Sequence, residues 1–416
     1  MAKLLYLVHR MPYPPNKGDK VRSYHLLRHL AARHEVHVGT FVDDPDDMAH
    51  LATLRQWCAS LKAVPLHPRR ARVASLAGLL SGRTLTEHYY RDSSLAKWVA
   101  QLVRAGGIDA SVVFSSSMAP YAMAHPALPM LVVFVDVDSA KWTDYAPRHR
   151  FPMSAVYALE GRRLLALERE VAQKARWSFF ATDKEAALFH RLAPESAARV
   201  EGMANGVDAD FFAPDATRVS PFLSSETPLV FTGAMDYWPN VDAVTWFARE
   251  MLPVLRLRHP KARLHIVGRS PTAAVKALAG EAVSVSGTVP DVRPYLQHAA
   301  AVVAPLRLAR GIQNKVLEAM AMQRPVVAAA DCVGALDAEP GVDILPAAEA
   351  ADYVRVVDGL LGDPARARAV GEAGRRRVLA SYAWPVHLAR FDRALDAVLA
   401  GGPAQATGAS WVTGAA

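Results

Sequence analysis

Short, continuous apolar runs recur along this sequence, each followed by a segment with helical spacing, and no other feature restricts the fold as much. KLLYLVH, EVHVGTF, ASVVFSS, MLVVFVD and WSFFAT lie in the first half, and PLVFTG, ARLHIVG, AVSVSG, AAAVVAP and PVVAA in the second. Runs that are apolar throughout, rather than alternating with polar residues, suit strands of a parallel sheet buried on both faces. Strands alternating with helices predict a doubly wound α/β architecture. With 416 residues the chain exceeds one ordinary core, so two such domains are expected. The boundaries fall at 1–213 for the first domain and 229–384 for the second, with the Pro-, Ser- and Thr-rich stretch 214–228 as the linker. An amphipathic helix over 385–400 follows, with Val386, Leu388, Phe391, Leu395 and Val398 in one stripe. The small, polar stretch 401–416 is expected to be a disordered tail.

Two cysteines, Cys58 and Cys332, cannot build a disulfide framework or a zinc site, and they suit a reducing cytoplasm. The apolar run at the start is too short for a signal peptide and reads as a first strand. Nowhere is an apolar run long enough to span a bilayer, so the expectation is a soluble or peripheral protein. The formal charge of +8 is unevenly spread. Between Asp47 and Glu87 there is no acid, while Arg55, Lys62, Arg69, Arg70, Arg72 and Arg83 fall inside. Over 67–83, Val73, Leu76, Leu79 and Leu80 stand at helical spacing beside arginines. That reads either as a basic amphipathic helix on an anionic membrane surface or as a solvated helix with its leucines in the core. Nucleic acid is not expected as a partner, because no motif for it is present and the aromatics do not interleave with the cations.

In open α/β sheets, ligands bind beyond the carboxyl ends of the strands, so the loops there carry the candidates. After the first strand, Pro12, Pro14 and Pro15 forbid helix, Gly18 permits a turn, and a helix starts near Asp19 or Lys20. A glycine at a helix start leaves backbone N–H groups free for an anion, or is a plain turn. Gly233 repeats the arrangement in the second half, ahead of Pro239 and Asn240. The stretch APLRLARGIQNKVLEAMAMQ is richer. A helix over 312–322 is expected to bury Ile312, Val316, Ala319 and Met320. Gly311 stands at its start, Arg310 and Lys315 add positive charge, and Glu318 lies one turn beyond Lys315. This offers a phosphate seat and a carboxylate able to accept from two neighbouring hydroxyls of a ribose. A surface Lys–Glu pair would have the same spacing.

Taken in order, PPNKGDKVRSYHLLRHL, NGVD, FTGAMDYWPN, HIVGRSP, VSGTVPDVRPYL and ARGIQNKVLEAMA resemble the family-4 glycosyltransferases, which have the GT-B fold and transfer sugars with retention. FVDVDSAKW and MDYWPNVDA resemble, more narrowly, bacterial sugar transferases associated with exopolysaccharide loci. The resemblance implies two Rossmann-like domains facing across a cleft, with the final helix crossing back to the first. It implies that Gly18 and Gly233 lie against the donor's phosphates, that Gly311 and Ile312 contact diphosphate and sugar, that Lys315 partners phosphate, and that Glu318 holds the ribose. Many members carry an acid eight positions before that glutamate, where this chain has Arg310. The family's basic pair after the second glycine is absent from GAMDYWPN, and Arg310, Lys315 and Arg269 are the cations available to replace it. Many relatives also carry a histidine at the end of LVVFVDVDS, where this chain has Val135 followed by Asp136. Asp136 and Asp138 are the candidates to orient or deprotonate an acceptor hydroxyl, with Ser139, Lys141 and Trp142 on the acceptor side. Both acids could instead cap the next helix. Asp136–Asp138 and Asp208–Asp210 each spell D-x-D, a pattern that can hold a hard cation, but the resemblance implies no metal and no cofactor.

The resulting expectation is a transferase that moves a sugar from a nucleotide diphosphate sugar to a glycan or lipid-linked glycan, at the cytoplasmic face of the membrane. The rivals are a nucleotide-sugar 2-epimerase of the same fold and a non-catalytic membrane-associated adaptor. A nicotinamide-dependent dehydrogenase lacks its glycine fingerprint after the first strand.

Overall fold

A computed structural model describes residues 1–15, 18–307 and 312–401. The chain divides into two compact units, one formed by Met1–Asn205 with the chain from His387 onward, the other by Gly206–Val386. The first contains β1 (Lys3–Val8), β2 (Glu35–Val42), β3 (Ser60–Pro65), β4 (Ala110–Phe114), β5 (Met130–Val135), β6 (Trp177–Phe180) and β7 (Val200–Gly202). They form one parallel sheet in the order β3-β2-β1-β4-β5-β6-β7. The second contains β8 (Thr227–Thr232), β9 (Ala262–Val267), β10 (Val283–Gly287), β11 (Ala301–Ala304), β12 (Val326–Ala329) and β13 (Leu345–Ala347). These are also parallel, in the order β10-β9-β8-β11-β12-β13.

Parallel strands need crossover helices, and those helices bury both faces of each sheet. Successive side chains of β1 therefore serve two cores. Leu5 and Leu7 pack in one cluster with Leu95 and Val99 of the helix Ser93–Ala105 and with Leu164, Leu167 and Val171 of the helix Met153–Lys174. Tyr6 points the other way, and its hydroxyl donates to the carbonyl of Ser23 in the helix Gly18–Ala31 (3.0 Å).

The stretch 214–228 is fastened along the second unit. The amide of Asp215 donates to Gln297 Oε1 (2.9 Å), Gln297 Nε2 donates to the Asp215 carbonyl (2.6 Å), and Arg218 also bonds Gln297. Thr227 and Pro228 already belong to β8. At the other end of that unit, Val207 forms a parallel bridge with Ala383, and its amide donates to the Tyr382 carbonyl (2.8 Å). The closing helix, Trp384–Leu399, is tied to the first unit. Asp392 accepts from Arg33 (2.6 Å) and lies 2.7 Å from His29 Nε2, Arg390 donates to the Gly202 carbonyl (2.9 Å), and Phe391 packs on Phe179.

The predicted helical segment 67–83 is two short helices, Pro68–Ser75 and Ala77–Ser81, ended by Gly82 at φ 75°. Its apolar residues are not all in the core, since Val73 is 70% exposed and Leu76 54%. Among the described residues no helix is long and apolar enough to cross a membrane.

Candidate functional site

The second unit gathers its candidate groups at the carboxyl ends of β8 and β9. Gly233 and Gly268 follow those strands with φ of 151° and 155°, a backbone region that a Cβ disfavours. The two turns abut so closely that a Cβ on Gly268 would lie 1.7 Å from the Gly233 carbonyl oxygen. A Cβ on Gly233 would meet Asn240 Nδ2 at 2.8 Å and Lys315 Nζ at 3.0 Å. The glycine thus leaves room for a side-chain cluster drawn from three elements. Asn240, in the helix Trp238–Trp246, donates from Nδ2 to the Ala234 carbonyl (2.8 Å) and accepts at Oδ1 from Lys315 (2.5 Å). The Lys315 ammonium also stands 4.2 Å from the ring centre of Phe231, on β8, a cation–π contact.

Lys315 and Glu318 lie on the helix Asn314–Ala321, which starts two residues later than the predicted Ile312; Ile312 precedes it and packs on the core. Val316, Ala319 and Met320 are buried, as the spacing predicts. The Lys315 ammonium turns to Asn240 and Phe231, not to Glu318. Among the described residues the Glu318 carboxylate has no hydrogen-bond partner, although burial pushes its pKa up to about 7 against the opposing pull of Lys315. Burial likewise pushes Lys315 down to about 8, with Glu318 opposing. A half-buried acceptor group with no donor from the described residues is an arrangement that a ligand hydroxyl would complete. Arg269 is exposed at the end of β9 and uses its backbone carbonyl to accept from Met235 (2.8 Å). Arg310 and Gly311 lie outside the described residues.

The sequence reading omitted Asn240 as a ligand-side group, Gly268, and Thr232, whose buried hydroxyl has no partner. Gly268 carried the same signal as Gly233, a glycine directly after an apolar strand. The Asn240–Lys315 bond joins residues 75 apart, which local spacing cannot reveal.

In the first unit, the helix Gly18–Ala31 begins beside a polar cluster. Burial would raise the Asp19 carboxyl, but His9 and Arg10 outweigh it and hold the group far below the usual carboxylate range. Arg10 donates to Asp19 (2.6 Å) and Asp43 (2.8 Å), and Lys20 pairs with Asp47 (2.5 Å) out of contact with solvent. Arg22 is buried, donating from Nε to Asn205 Oδ1 (2.7 Å), while its Nη1 has no partner.

At the last residue of β5, Val135 adopts φ 75°, where the ladder to β6 shifts register; for a β-branched residue this is a strained conformation. The chain then presents Asp136 and Asp138. Neither caps the following helix, Asp138–Tyr145, which has Val137 at its N-cap and no capping side chain. Both pair instead with Lys141, at 2.6 and 3.2 Å. Burial raises the Asp138 carboxyl, and Lys141 counters it. Ser139 turns inward, its hydroxyl donating to Glu168 Oε2 at 2.5 Å and its amide to Oε1 at 3.1 Å. Burial pushes Glu168 up to about 8, opposed by those bonds. Trp142 packs on Tyr157, with ring centres 5.2 Å apart. The expected acceptor-side set therefore splits: Lys141 stands with the two acids at the strand end, Ser139 belongs to the core, and Trp142 belongs to an aromatic cluster.

Residues 226–363 match the model of the family described as Glycosyl transferases group 1. No curated protein matches the sequence. Among solved structures, the chain is similar to Anabaena HepE, crystallised in complex with UDP, at TM-score 0.63 and 14% identity, over 95% of this chain and 100% of that one. It is similar to sucrose-phosphate synthase from Thermosynechococcus elongatus at TM-score 0.62 and 18% identity, over 97% and 100%. It is also similar to a glycosyltransferase from Rickettsia africae at TM-score 0.64 and 12% identity, over 96% and 98%. The two parallel sheets with their helices are thus those of the GT-B fold, and the match to the group 1 glycosyltransferase model falls on the second of them.

Proposed function

We propose that this protein transfers a glycosyl unit from a nucleoside diphosphate sugar, with retention of configuration and without a metal, to a glycan or lipid-linked glycan of the cell surface. The observation that carries the reading is the unpartnered, partly buried carboxylate of Glu318, one helical turn from a desolvated ammonium, inside the group 1 domain. A ribose diol would supply the two hydrogen bonds that Glu318 lacks. The Lys315 ammonium and the start of its helix would balance charge on the departing diphosphate. Gly233 allows the backbone to come close to phosphate oxygens, with Gly18 in the same role on the first unit and Arg269, Arg310, Gly311 and Ile312 completing the donor set.

On the acceptor side, Asp136 and Asp138 share one lysine, so their part is to orient a hydroxyl as much as to take its proton. Peripheral contact with an anionic membrane draws support from exposed Val73 and Leu76 beside Arg69, Arg70 and Arg72.

UDP, the nucleotide in the Anabaena complex, is the first probe to use. In thermal-shift and calorimetric titrations UDP is expected to stabilise the parent protein and to bind Glu318→Ala far more weakly, with the fold unchanged. Equal affinity in parent and variant, or no stabilisation by any nucleoside diphosphate, rejects the donor assignment. Proton NMR of the first product formed reads the anomeric configuration, and an inverted product rejects retention.

A further inference from the structure

The first unit contains a second feature that neither the donor groups nor the acid–lysine cluster uses. A cavity of about 380 Å³ lies beyond the end of β4, among the helices Leu85–Tyr89, Ser93–Ala105 and Ala119–Met123. Its walls include Tyr90, Ala96, Pro120 and Tyr121. The Tyr121 hydroxyl donates to the Tyr90 carbonyl (2.6 Å) and accepts from the Asp92 amide (2.7 Å), so the cavity is braced without a ligand.

Arg83, Arg91 and Lys97 line the same space. Among the described residues none of the three has an acidic partner. The two acids at the cavity are occupied elsewhere. Glu87 closes a capping box, accepting from the Thr84 amide at 3.0 Å, and Asp92 caps the helix Ser93–Ala105, accepting from the Leu95 amide at 2.8 Å. The same helix has 13 residues and starts at Ser93, on the cavity wall, where the Asp92 carboxylate already meets its dipole. Three exposed cations beside the apolar surfaces of Tyr90, Ala96, Pro120 and Tyr121 are complementary to an anion carried on an apolar body.

We propose that this cavity binds the phosphate or diphosphate group of the acceptor, with the acceptor's less polar portion against Tyr90, Pro120 and Tyr121. The proposal rests on the transferase reading. The position agrees with that role, because open α/β sheets bind ligands beyond the carboxyl ends of their strands. The Tyr90 ring also packs edge-on against His9, which stands 3.5 Å from Asp19, so the cavity adjoins the polar cluster at the end of β1.

The test titrates the full-length protein with geranyl diphosphate, inorganic pyrophosphate and geraniol, with saturating UDP present to fill the diphosphate seat of the second unit. Geranyl diphosphate is expected to bind, and the double variant Arg91→Ala/Lys97→Ala to bind it about tenfold or more weakly while keeping the parent's UDP affinity. Geranyl diphosphate binding tighter than pyrophosphate assigns a lipid-linked acceptor; equal affinities assign a soluble phosphorylated one. Ala124→Trp, at an exposed position on the cavity lining, is expected to block both. The proposal is overturned if neither diphosphate binds, if the double variant binds as the parent does, or if geraniol binds as tightly as its diphosphate. Should UDP fail to bind, the donor reading falls by itself, and the cavity is then judged by the same variants titrated without UDP.

Discussion

Replacing Glu318 by glutamine should make the empty protein more stable and the nucleotide complex weaker. Burial raises this carboxyl from 4.5 to about 7. That displacement, about 2.5 pH units (7 − 4.5), corresponds to ~3 kcal/mol at about 1.4 kcal/mol per unit. The sign follows from linkage. A carboxyl whose folded pKa lies above its unfolded value is harmless below pH 4.5, where it is protonated in both states. The cost grows as pH rises, because the unfolded chain releases the proton first, and it is complete above about 7. Glutamine keeps the shape and never ionises. Removing Glu318 also withdraws the charge that supports protonated Lys315, which trims the gain to about 2–3 kcal/mol at pH 8, against under ~1 kcal/mol near pH 5. Urea unfolding of parent and variant at the two pH values, without ligand, reads this difference directly. UDP affinity should move the other way, because a neutral amide replaces an ionised acceptor for the diol. About 1.5–3 kcal/mol is lost, or roughly 10- to 100-fold in Kd. A variant no more stable than the parent at pH 8 would mean that the carboxylate is already well solvated, and the argument from its isolation would fail.

Gly268→Ala should unfold the second unit or stop it accumulating, since the new Cβ meets backbone 1.7 Å away; normal expression and an unchanged melting curve would contradict this. Glu168 is pushed up from 4.5 to about 8 by burial, so the parent should lose stability as pH rises from about 5 toward that value and level off above it, while Glu168→Gln shows a flatter profile in melting scans from pH 5 to 9. Parallel profiles would place the ionisable group elsewhere. Val73→Glu/Leu76→Glu, at exposed positions, should abolish co-sedimentation with phosphatidylglycerol vesicles and leave UDP binding intact. Co-sedimentation equal to the parent's would remove that helix from any membrane contact.

Among the described residues, ten of the thirteen strands are legible in the sequence as apolar runs, and the three that are not share a position. β3, β7 and β13 are all edge strands. Paired on one side only and less enclosed, an edge strand needs no continuous apolar run. SLKAVP carries a lysine within it, and β7 and β13 have three residues each, VEG and LPA. The candidate site divides in a similar way. Lys315 and Glu318 stand out because they share one helix, and local spacing exposes them. Asn240, which holds the lysine, and Glu168, which takes Ser139 into the core, lie 75 and 29 residues from their partners. No periodicity links such pairs, because only the completed sheet brings them together. The acid-free stretch was legible as charge, but its division into two short helices at Leu76 was not, and only the end of the second has a glycine to mark it, Gly82 at φ 75°.

The parallel bridge between Val207 and Ala383 has a bearing on how such a chain can be rearranged. It brings the two ends of the second unit side by side, and in the first unit Asn205 accepts from Arg22, whose charge also acts on His387. The second unit therefore begins and ends near a single point, as one contiguous insertion in the chain of the first. Cutting it out at 206 and 386 removes one contiguous stretch of gene, and joining short gaps costs little loop-closure entropy. The first unit, by contrast, is split in the gene, and a fragment truncated before the closing helix leaves Phe179 without Phe391 to cover it.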